Sequence, residues 1–277
     1  MLKDIMSVQE FAGSLGGSHF QKRALLSVIC TLLLAYLFVA WSRSSLIIAI
    51  DHGFFEIFTN VTRQSWALDM LIVQIFRTET AKNIPMLACV VWLLLEHSRK
   101  GQSNAFFGQL VVGSLLAMTA SRVMQNFSAY RPRPLHNPDL VYELPYGIEA
   151  TTLEGWSSFP SDTSALGFAI AAGIFVTSKR LGLAAFLWTA VVVAFPRAYA
   201  GLHYPSDLMG GALIGLLCTA GVAPLILHII PEKIKHVIYE KWMPLLWTLG
   251  FLYMFQMATM FDNVRSYGSY LKDVLGL

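Results

Sequence analysis

The sequence predicts an all-α fold, a polytopic helical membrane bundle of six to seven transmembrane spans. Three observations predict it. First, the chain is 55% hydrophobic and only 13% charged, with a mean hydropathy of +0.55, which is too apolar for an ordinary soluble domain. Second, seven apolar runs recur along it: Ala24–Trp41, Ile84–Leu95, Ala105–Ala120, Ser164–Thr177, Leu181–Phe195, Leu208–Ile230 and Met243–Phe261. A span needs about 20 residues, so the shorter runs must extend into their polar flanks. Third, the basic clusters alternate. Lys22-Arg23, Arg99-Lys100, Lys179-Arg180 and the group Lys233, Lys235 and Lys241 all fall on one side, which the positive-inside rule makes cytoplasmic.

The elements follow in order. The first run begins after a polar stretch with no small-residue cleavage site behind it, so it reads as a span and not as a cleaved leader. Ser42–Lys82 lies outside. It holds Phe54–Phe58 and Trp66–Phe76, either short interfacial helices over a site or a plain connector. A second outer segment, Arg122–Asp162, is rich in Pro, Tyr and Asn. It is too polar to span and too long for a turn. Residues 1–277 read as a single integral membrane domain, without repeats or a soluble appendage. Cys30, Cys89 and Cys218 lie in apolar runs as small hydrophobes. No metal motif appears, and no basic stripe interleaved with aromatics supports nucleic acid as a partner.

Arg131, Arg133 and Arg197 break the charge bias by falling outside. An anionic ligand is a reason for that. In Tyr130-Arg131-Pro132-Arg133-Pro134 the prolines bar a helix and hold two guanidiniums on extended backbone. In Phe159-Pro160-Ser161-Asp162-Thr163-Ser164 a capping residue opens an apolar helix, whose first N–H groups are a phosphate cradle or simply a capped start. In the third piece Arg197, His203 and Asp207 stand at i, i+6 and i+10 between two apolar runs. Arginine grips phosphate oxygens, imidazole attacks phosphorus, and a carboxylate fixes the imidazole tautomer.

These pieces, between Asn126 and Asp207, resemble the three signature motifs of the phosphatidic acid phosphatase type 2 superfamily. Those motifs read Lys-x6-Arg-Pro, Pro-Ser-Gly-His and Ser-Arg-x5-His-x3-Asp. Arg133-Pro134, Pro160-Ser161, Arg197, His203 and Asp207 match them. The resemblance implies a phosphatase-type helical core and metal-free, cofactor-free chemistry. It implies His203 as nucleophile, with Asp207 and Arg197 completing the catalytic set. It also implies phosphate binding by Arg131, Arg133, Ser161, Asp162, Thr163 and Asn126. Four positions depart from the pattern: Asn126 replaces the lysine, Asp162 the glycine, Thr163 the histidine, and Pro196 the serine.

Thr163 matters most, because the family histidine there protonates the leaving oxygen. General acid help is worth about 10²–10⁴-fold. An alkoxide needs that help far more than a phosphate, whose conjugate acid has a pKa of about 6. The expectation is therefore a lipid phosphatase or phosphotransferase acting on a polyprenyl diphosphate. It would sit in a bacterial inner membrane with its site facing the periplasm or exterior, and pass the phosphoryl group to water or a glycolipid. Four substitutes for the missing groups stand open: a protonated Asp162 or a swung-in His136 as acid, and Lys82 or Arg122 as cation. Two other functions stay open, a protein that binds or transports a phospholipid without turnover, and a headgroup transferase.

Overall fold

The computed structural model describes residues 44–102, 104–230 and 232–262, with 267 and 270, and for 232–240 the backbone alone. The predicted span Ala24–Trp41 lies outside the described residues. Within them every element is helical: α1 (Ser45–Thr59), α2 (Trp66–Arg77), α3 (Glu79–Arg99), α4 (Ala105–Phe127), α5 (Asp162–Thr177), α6 (Lys179–Tyr199), α7 (Pro205–Ile229) and α8 (Glu232–Ala258), plus a 3₁₀ turn at Pro134–His136. Each helix from α3 to α7 begins ahead of the apolar run inside it or continues beyond it, as the short runs required.

Three helices, α4, α6 and α7, are long and apolar enough to cross a membrane, at 23, 21 and 25 residues. The chain is an integral membrane protein. Among the described residues this is fewer than the six to seven spans expected. The long helices α3 and α8 carry Glu79, Lys82, Glu96 and Arg99 in one and Glu232, Lys233, Lys235, Glu240 and Lys241 in the other. The apolar helix α5 has only 16 residues.

Helix α5 is the centre of the bundle. It is apolar all round, and residues 162–167 and 169–174 are buried, the pattern of a helix enclosed by others. Its closest neighbour is α7, which brings Gly211 and Gly215 against it. A Cβ at Gly211 would lie 2.2 Å from the Ser161 carbonyl oxygen, and one at Gly215 would lie 2.4 Å from that of Ala165. Small residues four apart let two helix backbones touch. The contact continues as hydrogen bonds from Ser161 N to Asp207 O at 3.1 Å and from Ser164 Oγ to Leu208 O at 2.7 Å.

Two π-helical turns interrupt the spans, Thr189–Ala194 in α6 and Leu217–Val222 in α7. Each is followed within two residues by a proline, Pro196 or Pro224. Proline lacks the N–H of the normal helical bond and its ring crowds the carbonyl four residues back, so a widened turn relieves both problems.

Helices α1 and α2 settle the first outer segment as helical. Ser44 and Ser65 cap them. Their Phe55, Phe58 and Ile72 pack on Ala198, Tyr199 and Tyr204 at the facing ends of α6 and α7. Asp69 of α2 accepts from the backbone N–H of Arg63 and Tyr146 and from the Tyr199 hydroxyl. The short pair thus clasps the long outer loop against the end of the bundle.

Candidate active site

The end of α4, the start of α5, the end of α6 and the start of α7 meet at one end of the bundle. The turn from α6 to α7 is made at Gly201, whose φ of +70° is left-handed. It is closed by Leu202 N donating to Arg197 O at 3.0 Å. Pro205 opens α7, and Asp207 accepts from the Tyr204 backbone N–H at 2.8 Å. Asp207 therefore caps its own helix.

His203 is 1% exposed. Its Nδ1 lies 2.8 Å from the carbonyl oxygen of Ser158, which fixes the hydrogen on Nδ1 and leaves the lone pair on Nε2. The Asp207 carboxylate stands 3.8 Å from Nδ1, outside hydrogen-bond range. The direct hold expected of Asp207 thus belongs to a backbone carbonyl, and Asp207 acts on the ring through charge. Burial pushes the His203 pKa below the ordinary histidine value; Asp207 pulls it up, while Arg133 and Arg197 add to the depression. The ring is therefore neutral at neutral pH.

Arg133 comes to His203 as the motif requires, with Nη1 3.3 Å from Nε2. The same side chain donates to the carbonyls of Leu202, Trp156 and Ser157. Burial lowers its pKa to about 10, so it keeps its charge. Arg197 is 6% exposed. Its Nη2 donates to Glu79 at 3.0 Å, and its Nε is buried with no protein partner, as is Ser158 Oγ. Two buried donors without acceptors beside a histidine are what an oxyanion satisfies.

Arg131 does not join this group. Its guanidinium is taken by Asp51 at 2.7 Å and Asp207 at 2.5 Å, with a further bond to Ser206 Oγ. Its ring partner is Tyr204, 4.2 Å from the guanidinium carbon. Burial opposes its charge, but Asp207 and Asp51 outweigh burial and raise its pKa. The phosphate role expected of Arg131 is corrected to structural neutralisation of two buried carboxylates.

Asn126 is also displaced from its expected role. It is exposed at the last turn of α4 and lines an open cavity of about 240 Å³ with Gln125, Tyr130 and Trp156. One turn earlier, Arg122 reaches Asp162 at 2.7 Å, bonds Gln125 and lies over the Trp156 ring. Of the two cations weighed for the lost lysine, Arg122 is thus next to the second motif. Lys82 is bound to Phe76 O and to Glu79, the carboxylate that also holds Arg197.

Ser161 is the N-cap of α5, accepting from Ser164 N at 3.3 Å. Thr163 is fully buried and turns its hydroxyl to Asp162 Oδ1 at 3.3 Å. Both Asp162 oxygens are acceptors, from Thr163 and Arg122, so the carboxyl is placed to hold a cation and not to give a proton. His136 faces the carbonyl of Thr152 at 3.1 Å, turned to its own loop. Sequence reasoning missed Ser158, Asp51 and Glu79. The first lies in the loop ahead of the second motif and meets His203 through its backbone carbonyl, and the other two lie outside the motifs.

Residues 106–235 match the PAP2 superfamily. Three relatives are similar. Bacitracin transport permease protein BcrC of Bacillus licheniformis is 31% identical over 109 residues, 39% of this chain and 47% of that protein. Lipid A 4'-phosphatase of Bacteroides thetaiotaomicron is 31% identical over 139 residues, 48% of this chain and 59% of its own. YbjG of Escherichia coli (strain K12), described as a candidate undecaprenyl-diphosphatase, is 26% identical over 159 residues, 57% and 71% of the two chains. The chain thus spans about half the length of the first two.

Proposed function

Because this chain belongs to the PAP2 superfamily through residues 106–235, we propose that it is a lipid phosphatase or phosphotransferase working through a phosphohistidine at His203. One observation carries this. His203 Nε2 is aimed at a buried cluster of arginines, its tautomer fixed from behind by Ser158 O. A passive phosphate pocket has no use for an imidazole held in one tautomer.

The reaction is a double displacement. The Nε2 lone pair forms a bond to phosphorus as the bridging P–O bond breaks, and the leaving group takes the electron pair. Water or a lipid hydroxyl then forms a new P–O bond and loses its proton, while the P–N bond breaks and returns its pair to Nε2. Arg197 Nε, Arg133 and the Ser158 hydroxyl bind the equatorial oxygens. Fixed donors at such positions are worth about 3–4 kcal/mol each in a dry site.

Thr163 decides the substrate class. With its hydroxyl turned to Asp162 and no histidine at that position, the leaving group departs unprotonated. A diphosphate meets that condition and an alkyl monoester does not. The substrate is a polyprenyl diphosphate, a reading supported by the similarity to YbjG. The membrane is a bacterial inner membrane with the site on its periplasmic face, supported by the basic turns Arg99-Lys100 and Lys179-Arg180 at the opposite end.

Phosphate release by detergent-solubilised protein tests this. Polyprenyl diphosphate should turn over at least about 100-fold faster than phosphatidic acid, the low end of a general acid's contribution. His203→Ala should abolish both activities with the fold intact, and orthovanadate should inhibit. Equal rates on the two lipids would refute the diphosphate assignment. Full activity in His203→Ala would refute the mechanism. A second reading rests on the similarity to BcrC, named a transport permease. Tight lipid binding with no release by wild type or His203→Ala would favour it.

A further inference from the structure

We infer that Asp51, on α1 and outside the matched stretch, is a positioning residue for His203, acting through Arg131 and Asp207. This rests on the phosphohistidine reading. Asp51 is 1% exposed in a helix whose other buried residues, Ile47, Phe55 and Phe58, are apolar. Its Oδ2 accepts from Arg131 Nη2 at 2.7 Å and from Ser206 Oγ at 2.6 Å, and its Oδ1 from Ser206 N at 3.1 Å. A buried carboxylate with three donors across 155 residues of sequence is costly to keep unless it sets something.

What it sets is the charge on Asp207. Arg131 bridges the two carboxylates, with Nη2 to Asp51 and Nη1 to Asp207 Oδ1. Asp207 Oδ2 is left to Tyr204 N and, at 3.8 Å, to the imidazole. At that distance Asp207 acts by its net field, and Arg131 screens the field. Asp51 in turn neutralises Arg131. Two carboxylates and one guanidinium leave one negative charge beside the ring. That charge opposes Arg133 and Arg197, the cations acting on His203 from the outer loop and from α6, while Ser158 O fixes Nδ1. The nucleophile thus stays basic enough to attack phosphorus, though burial depresses it.

The sign follows. A depressed histidine pKa means the reactive neutral form persists to lower pH, so the acid limb of turnover lies below the ordinary value of about 6.5. Arg131→Gln removes the screen, lets Asp207 favour the imidazolium, and should move that limb up by about half a pH unit or more. Asp51→Asn leaves Arg131 unbalanced and should move it down. Arg131→Lys keeps the charge and should return it towards wild type.

The experiment follows the His203 ring by NMR of histidine-labelled protein in micelles, assigned with His203→Gln, beside the pH profile of diphosphate hydrolysis. Opposite shifts for Arg131→Gln and Asp51→Asn support the proposal. An unchanged His203 titration in Arg131→Gln, or shifts of one sign in both variants, overturns it. Should Asp51→Asn fail to fold, the two Arg131 variants decide alone: Gln must shift the ring and Lys must not. The NMR titration needs no turnover. A protein that hydrolyses no lipid diphosphate but shows the opposite shifts loses the proposed activity and keeps this inference.

Discussion

Arg122 and Arg131 illustrate how local sequence misdirects at the residue scale. Arg131 sits in a motif-like Arg-Pro-Arg-Pro stretch, yet it is spent on Asp51 and Asp207. Arg122 lies in a helix four residues before the position where the family pattern has lysine. There it reaches the second motif at Asp162, one helical turn being enough to restore a cation at the site. Asp162 and a lipid phosphate then compete for one guanidinium. Arg122→Gln should raise KM for a lipid diphosphate about tenfold, the value of one charge-assisted bond of about 1.5 kcal/mol. Asn126→Ala should change KM less than about twofold. Initial rates against lipid concentration measure both. Adding Asp162→Asn to Arg122→Gln should recover protein yield, because it removes the carboxylate charge that Arg122 pairs with, without recovering KM. The reverse ranking of Arg122 and Asn126 would return the cation role to the family position.

At the scale of elements, the site depends on how closely α7 approaches α5. The contact at Gly211 places the Ser161 carbonyl against the first turns of α7, and the bond from Ser161 N to Asp207 O ties the second motif to the third. Gly211→Ala forces backbone to move, since a Cβ at 2.2 Å from a carbonyl oxygen has no rotamer to escape into. Overpacking of this kind costs about 1–3 kcal/mol. Here it also displaces Ser161 and Asp207 relative to each other. Gly53→Ala in α1 is the matched control, with nothing within 4 Å of the added methyl and a helix-propensity gain of about 0.5–1 kcal/mol. Thermal unfolding in detergent should show Gly211→Ala lowered and Gly53→Ala equal or raised. Turnover should fall at least about tenfold in the first and stay within about twofold in the second, a misplacement of about 1 Å in a catalytic constellation being enough for such a loss. Unchanged turnover in Gly211→Ala would show that the site tolerates a looser crossing than its hydrogen bonds suggest.

For the whole molecule, the sequence reveals the helices better than the connections. Runs such as Leu208–Ile230 were readable because lipid and bundle both demand apolar length, so α4, α6 and α7 follow from composition. The convergence of Arg133, Ser161, Arg197 and His203 was readable because each lies at a helix end or on proline-stiffened backbone. Ser158 was not, because the directions of its carbonyl and its hydroxyl both depend on the loop's path. Asp51 and Glu79 were not, because their bonds to Arg131, Ser206 and Arg197 cross between segments far apart in sequence and exist only once the bundle closes. The bundle that results is polarised. The turn at Lys100 and the connection at Ser178 lie at one end, and the loop 128–161 and the turn 200–204 at the other. Helix α7 is about 37 Å long at 1.5 Å per residue, enough to cross a hydrocarbon core of about 30 Å. Its outward Met209, Ile226 and Ile229 are exposed, as a lipid-facing surface requires. Only one end can therefore lie on the side proposed for the site, and the positive-inside bias predicts that it is the end opposite the basic turns. In a chain freed of Cys30, Cys89 and Cys218, Val141→Cys should react with a membrane-impermeant maleimide in intact bacterial cells, since Val141 is 87% exposed in the outer loop. Lys100→Cys, on the exposed turn between α3 and α4, should react only after permeabilisation. The opposite pattern would put the His203 site on the cytoplasmic face and remove every outer-leaflet lipid from its reach.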